Sequence, residues 1–381
     1  MTVRWRTATP PARRADGGWR HWGLGLAGVV ALLLAARAVG PLVGPVAAAT
    51  SAPAPGLARA ASPGAAAGRV AGLDGRTATE LLLGAEDGLL RVDLDARAVR
   101  AVPLPGGAAG SDGGLVGRAG AVVAVRGGVA WAAPARPGRP VTWLGPAAYA
   151  LASARPGQVW LVEQTGDPDR WFRVREVALG GPDGRARVVA RGTLALGRRP
   201  VAGVPGGLLV TLLGPGGGLA VWDQASGRVR PRLAAASPVV VATWGRTVAF
   251  VDGADLHLGD LDSGRDRLVP PPYGSDGFAP AGAFSPDGRN LAAVTRVGPS
   301  TRPALALVAV DWALAMRIAG SEGALADRCS PCLVWAPAGD WVFFNRLGPG
   351  LAIGSYRLGQ PRAATLDLEV PGSYPPSFAS L

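Results

Sequence analysis

From Val70 onward the chain alternates short apolar runs with Gly, Pro, Asp and Ser, and no stretch keeps a helical period over several turns. Strands are the expected element. Leu90, Val92 and Leu94 alternate with Arg91, Asp93 and Asp95, and Leu256 and Leu258 alternate with Asp255, His257 and Gly259. Period two gives each such strand one face to bury and one to leave wet. The runs also repeat at a longer spacing. A first apolar strand begins near Leu81, Val122, Val159, Leu208, Val248, Leu291 and Val342, so successive starts lie 41, 37, 49, 40, 43 and 51 residues apart, a mean of 43.5. A second row keeps step with it, from Gly88, Gly128, Trp171, Gly218, Ala254, Ala304 and Gly350. A third strand follows an x-S-G-R turn, and weaker stretches leading in, such as PVVVATW before Arg246 and CLVWAP before Gly339, supply a fourth. Four strands in forty-odd residues make one blade of a β-propeller. The sequence therefore predicts an all-β propeller over residues 70–381. Seven blades fit the spacing best, with six and eight as the neighbouring solutions because the units at Val159 and Leu291 carry long insertions.

Two local motifs support the repeat. Phe284-Ser285-Pro286-Asp287-Gly288-Arg289-Asn290-Leu291 is a hairpin in which Pro286 fixes φ, Asp287 bonds the backbone ahead and Gly288 takes the positive-φ position. Trp335-Ala336-Pro337-Ala338-Gly339-Asp340-Trp341-Val342 is a degenerate copy, and Trp222-Asp223-Gln224-Ala225-Ser226-Gly227-Arg228 is a second kind of turn. These segments resemble the F-S-P-D-G-x-x-L and W-D-x-x-S-G motifs of the WD-repeat and TolB-like β-propellers. The resemblance covers residues 70–381 by period and three blades by motif, and no Gly-His pair precedes Trp222-Asp223. It implies an interaction platform more often than an enzyme, an expectation by analogy of fold.

The N-terminus reads differently. Arg4, Arg6, Arg13, Arg14 and Arg20 precede Gly23–Ala36, fourteen residues without charge. A basic flank before an apolar run is a membrane-targeting pattern, with the Arg side retained in the cytoplasm. Residues 1–22 are then a cytoplasmic tail and 23–49 a transmembrane anchor or signal segment. Ala47-Ala48-Ala49 offers a cleavage site. Apolar sequence resuming after Arg37 favours an uncleaved span of about 20 residues. Residues 50–69, rich in Ala, Pro, Ser and Gly, read as a linker. The expected location of the propeller is outside the cytoplasm, tethered to the membrane, or secreted if the leader is removed.

Composition narrows the remaining classes. Gly (57) and Pro (35) are abundant, yet 48% of the chain is apolar, which suits a turn-dense β-protein and not a disordered one. The net charge of +12 would suggest nucleic acid until it is divided along the chain: residues 1–69 hold eight Arg and one acid, leaving +5 over the other 312. So thin an excess is a solvated surface, and no nucleic-acid partner is expected. All 39 basic residues are Arg.

Candidate chemistry is sparse. There are two His, and His21 precedes the membrane segment, so His257 alone could serve an external active site; mid-strand beside Asp255 and Asp260, it reads as structural. No metal or cofactor is expected, because one His cannot begin a zinc site and Asp252, Asp255, Asp260 and Asp262 lack the spacing of a calcium loop. Gly214–Gly218 lacks the helix and Lys of a phosphate loop and reads as a hairpin tip. Glu163, Asp167 and Asp169 are carboxylates that could line a propeller mouth. Cys329 and Cys332 admit a redox dithiol, half a zinc site or a structural disulfide, and an external location favours the disulfide. The expected function is a non-catalytic binding or assembly module for an envelope protein or ligand. The alternative is a propeller hydrolase or lyase acting on envelope polysaccharide. A converging carboxylate pair would favour the enzyme, and an exposed apolar patch would favour a protein partner. A sensor is disfavoured, since residues 1–22 are too few for a signalling domain.

Overall fold

The computed structural model describes residues 73, 77–85, 88–102, 104, 114–118, 121–134, 140–180, 185–214, 216–296, 302–324, 331–347, 351–366, 368 and 378–380. The expected tail, membrane segment and linker lie outside them. Among the described residues no helix is long and apolar enough to cross a membrane.

Seven four-stranded antiparallel sheets account for the strands. Blades 2 to 7 each run in sequence order from an inner to an outer strand, and their inner strands are Leu115–Arg118, Tyr149–Ala152, Arg198–Val204, Pro238–Trp244, Gly277–Phe284 and Leu333–Trp335. Blade 1 is built differently. Its last three strands, Glu80–Ala85, Gly88–Asp93 and Ala98–Val102, open the described fold, while its inner strand is the C-terminal Phe378–Ser380. That strand pairs antiparallel with Leu81–Leu83, Ala379 opposite Leu82. The inner strands touch in a complete cycle, Phe378–Ser380 meeting both Leu115–Arg118 and Leu333–Trp335. The ring is closed by the chain's own end, and a closed ring leaves no blade face without a neighbour.

The core sits between blades and not at the centre. Seven clusters of buried apolar side chains each span one pair of adjacent blades. Between blades 3 and 4, for instance, Trp160, Val162 and Phe172 meet Leu208, Val210 and Trp222. Both faces of the second strand in each blade are therefore covered, as in Ala121–Val125, buried at five successive positions. This makes those strands continuous apolar runs, the feature that sets the sequence period.

The same closure corrects one expectation. The Arg91 face of Gly88–Asp93 is not wet: Arg91 is 6% exposed, its Nε 3.3 Å from a Glu80 carboxylate oxygen and its Nη2 donating to the Pro134 carbonyl of blade 2 at 3.0 Å. Arg296 donates likewise to Gly253 of the preceding blade, and Arg267 donates to Val310 and Asp311 of the following one. A planar, permanently charged fork suits this bridging of carbonyls better than a flexible ammonium does.

Candidate functional site

The motif turns are structural. Ser285 is buried; its hydroxyl donates to Asp287 at 2.6 Å and accepts from the Asn290 N–H at 3.0 Å, while Gly288 N–H donates to the Ser285 carbonyl at 2.8 Å. Phe284 ends the inner strand of blade 6, and the Pro286 carbonyl accepts a 3.1 Å bond from the Trp244 indole of blade 5. Gly288 has φ 74°, and a Cβ there would fall 2.3 Å from the Trp244 ring. The copy around Pro337 repeats the backbone pattern, with Ala336 N–H bonded to the Trp341 carbonyl and Gly339 N–H to Ala336, and without the hydroxyl. Trp335 donates from its indole to the Ala283 carbonyl at 2.8 Å, tying blade 7 to blade 6. Trp222 is buried edge-on against Trp160 at 5.9 Å, and Asp223 accepts from the Ser226 N–H and hydroxyl. Cys332 is disulfide-bonded, and the chain's other cysteine, Cys329, lies outside the described residues.

His257 is placed as a strand residue with a partner the sequence did not suggest. Its Nδ1 lies 2.6 Å from Asp266 Oδ2, on the neighbouring outer strand, and its ring stacks on Phe250 at 5.0 Å. Asp255 and Asp260 sit at the two ends of its strand, and Asp260 caps its own turn by accepting from the Asp262 and Ser263 N–H groups. Those bonds hold the Asp260 carboxyl below its usual range. Among the described residues no His, Cys, Asp and Glu group of metal-binding size occurs. Residues 214 and 216–218 lie at the tip of a hairpin between Gly207–Leu212 and Gly218–Asp223.

Two features remain that could meet another molecule. The first is an apolar stripe on blade 6. Trp312, in the turn before the outer strand Leu314–Arg317, is 82% exposed, Leu314 65% and Met316 57%. Spacing by two puts Leu314 and Met316 on one face of that strand, opposite Ala309 and Leu307, with Trp312 exposed in the turn just before it. The strand is the outermost of its sheet, and among the described residues its far edge carries no ladder partner. The second is a groove of about 520 Å³ at the rim of blades 2 and 3, lined by Pro146, Glu163, Arg173, Arg175, Arg191 and Thr193 together with the backbone at Gly192. Strand register assembles it: Arg173 stands opposite both Glu163 and Thr193, and Arg175 opposite Arg191. Of the carboxylates considered from sequence, Glu163 reaches this groove, paired with Arg173 at 3.4 Å, whereas Asp167 caps the short helical turn Pro168–Arg170. Arg175 donates to the Pro146 carbonyl across the blade boundary and lies flat on Gly145. Burial pulls its guanidinium below the usual arginine range, Glu163 opposing this and Arg191 and Arg173 adding to it. Sequence reading missed the groove, since Arg191 lies on a different strand from Arg173 and Arg175.

The fold defines the class: the chain is a seven-bladed β-propeller closed by its C-terminal strand. No family model matches the chain. No curated protein matches it either. Solved structures of similar fold include TolB from Acinetobacter baumannii, 14% identical over 81% of this chain and 82% of that one, TM-score 0.45. They also include a putative 6-phosphogluconolactonase from Bacteroides fragilis, 12% identical over 80% of this chain and all of that one, TM-score 0.50. A periplasmic gluconolactonase from Pseudomonas aeruginosa is 16% identical over 79% and 99%, TM-score 0.49. At such identities the likeness is one of fold.

Proposed function

We propose that this propeller is an extracytoplasmic, membrane-tethered binding or assembly module whose partner is a protein of the cell envelope. The observation that carries this reading is the Trp312, Leu314 and Met316 stripe. Three large exposed apolar side chains close together, two on an outermost strand and one in the turn leading into it, are costly in water, because each leaves surface hydrated that burial would stabilise by about 25 cal/mol per Å². Blade packing does not require them there. The partner that suits such a strand is a protein that covers the stripe and adds main-chain bonds along the edge of Leu314–Arg317. The solved structures of similar fold include a TolB and lactonases, so fold alone favours neither binding nor catalysis.

The test is a pull-down from envelope extract with the purified propeller and with a Trp312→Glu, Met316→Glu double variant of unchanged thermal stability. A stoichiometric protein retained by the first and lost by the second supports the module. Equal capture by both, concentration-dependent self-association in place of capture, or turnover of an envelope glycan would overturn it.

A further inference from the structure

The groove on blade 3 is independent of the stripe on blade 6 and carries a different chemistry. Three guanidinium groups, from Arg173, Arg175 and Arg191, meet there with the single carboxylate of Glu163. Two of them, Arg175 and Arg191, stand directly opposite each other across adjacent strands, an arrangement that destabilises a sheet when nothing lies between the charges. Arg175 cannot swing away from the conflict, because it is half-buried, bonded to the Pro146 carbonyl and seated against the backbone of Gly145. Gly145 itself has φ 111°, and a Cβ there would fall 2.9 Å from an Arg175 nitrogen, so the glycine makes the seat. On the opposite face of the outer strand the Trp222 ring of blade 4 occupies the space a Cβ of Gly192 would need, 2.3 Å away, which fixes that strand. The cations are thus held together by packing on both sides.

We propose that this groove binds the phosphate group of a phosphomonoester. Glu163 is shared with Arg173, which leaves the groove two positive charges in excess. A phosphomonoester carries about −1.5 to −2 at neutral pH and presents three acceptor oxygens, matching that excess where a carboxylate would meet half of it. Guanidinium forks recognise such oxygens in pairs, and the Thr193 hydroxyl on the same face adds a further donor. The groove volume is in the range of small-molecule sites, so the organic part of the ester has room beside Pro146.

The test uses inorganic phosphate and glycerol phosphate as probes in isothermal titration and thermal melts of the whole propeller, against acetate and chloride at matched ionic strength. Both phosphates are expected to bind and to raise Tm, glycerol phosphate at least as well as inorganic phosphate, with acetate and chloride inert. Arg191→Gln should weaken phosphate at least tenfold and, by relieving Arg175, raise the Tm of the unliganded protein. Arg173→Gln provides a second variant in which the tenfold loss is read directly. Equal stabilisation by acetate, or unaltered phosphate affinity in both variants, would overturn the assignment. Failure here leaves the blade 6 stripe untouched, since neither variant alters it.

Discussion

The turns between the third and fourth strands of the blades make a quantitative test of the repeat. In blades 4 and 5 the fourth residue after the third strand is Gly227 or Gly264, with φ 67° and 69°. The same position in blades 1 and 6 holds Arg97 and Ala313, forced to φ 53° and 50°. A residue with a Cβ loses roughly 1–2 kcal/mol in that region, and Gly gives back about 0.4–1 kcal/mol through its freer unfolded chain. Ala313→Gly and Arg97→Gly are therefore expected to stabilise the propeller by about 0.5–1 kcal/mol each, a rise of about 1–3 °C in Tm. The reverse changes should cost a similar amount. Gly227→Ala is the cleaner of the two, because a Cβ there has open space, whereas at Gly264 it would fall 2.9 Å from the Arg232 carbonyl and so destabilise more. Urea and thermal unfolding of the four variants give the ordering. A loss of stability in Ala313→Gly, or Gly227→Ala without effect, would refute the equivalence of these turns.

Removing the ring that locks blades 3 and 4, Trp222→Ala, should cost about 3–5 kcal/mol in denaturant unfolding, and Gly192→Ala, which meets the same ring, about 1–3 kcal/mol. Asp223, Asp260 and Asp287 are held below the usual carboxylate range by the Ser226 hydroxyl, the Asp262 N–H and the Ser285 hydroxyl respectively. Their contribution is present above the unfolded value of about 3.9 and lost as pH falls through the lower folded values, so the acid decline in stability should be shallower in Asp223→Asn than in the parent. Burial pushes the Tyr149 phenol up to about 12, Arg199 opposing it. Burial raises the Tyr356 phenol as well, so ultraviolet titration should show both of these tyrosines ionising late, and the Tyr149 contribution to stability, full below pH 10, should be lost between about 10 and 12.

Much of the fold was legible because buried strands write themselves plainly. The second strands of all seven blades are apolar runs bounded by turn residues, and the third strands follow them in step. The inner strands were fainter for a physical reason: they face the channel on one side and carry register shifts, as at Pro200/Ala202, Val240/Ala242 and Phe278/Gly282, which blur period two. The closing strand Phe378–Ser380 is three residues long and has no pattern of its own, so ring closure had to come from structure. The blade 3 groove was hidden for another reason. Glu163, Arg173, Arg175 and Arg191 lie on three strands, and only cross-strand register brings them to one face. The partner of His257 escaped likewise, since Asp266 is nine residues away in the chain and adjacent in the sheet.

Deletion of residues 378–381 tests the closed ring most directly, read by hydrogen exchange at Glu80–Ala85 together with urea unfolding. Loss of the strand that pairs with Leu81–Leu83 and of the Ala379 side chain buried between blades 1 and 2 should speed exchange across Glu80–Ala85 and cost about 3–5 kcal/mol, near 1 kcal/mol for each bond removed plus the exposed core. Unchanged exchange at those residues and an unchanged unfolding midpoint would contradict a propeller closed by its own C-terminus.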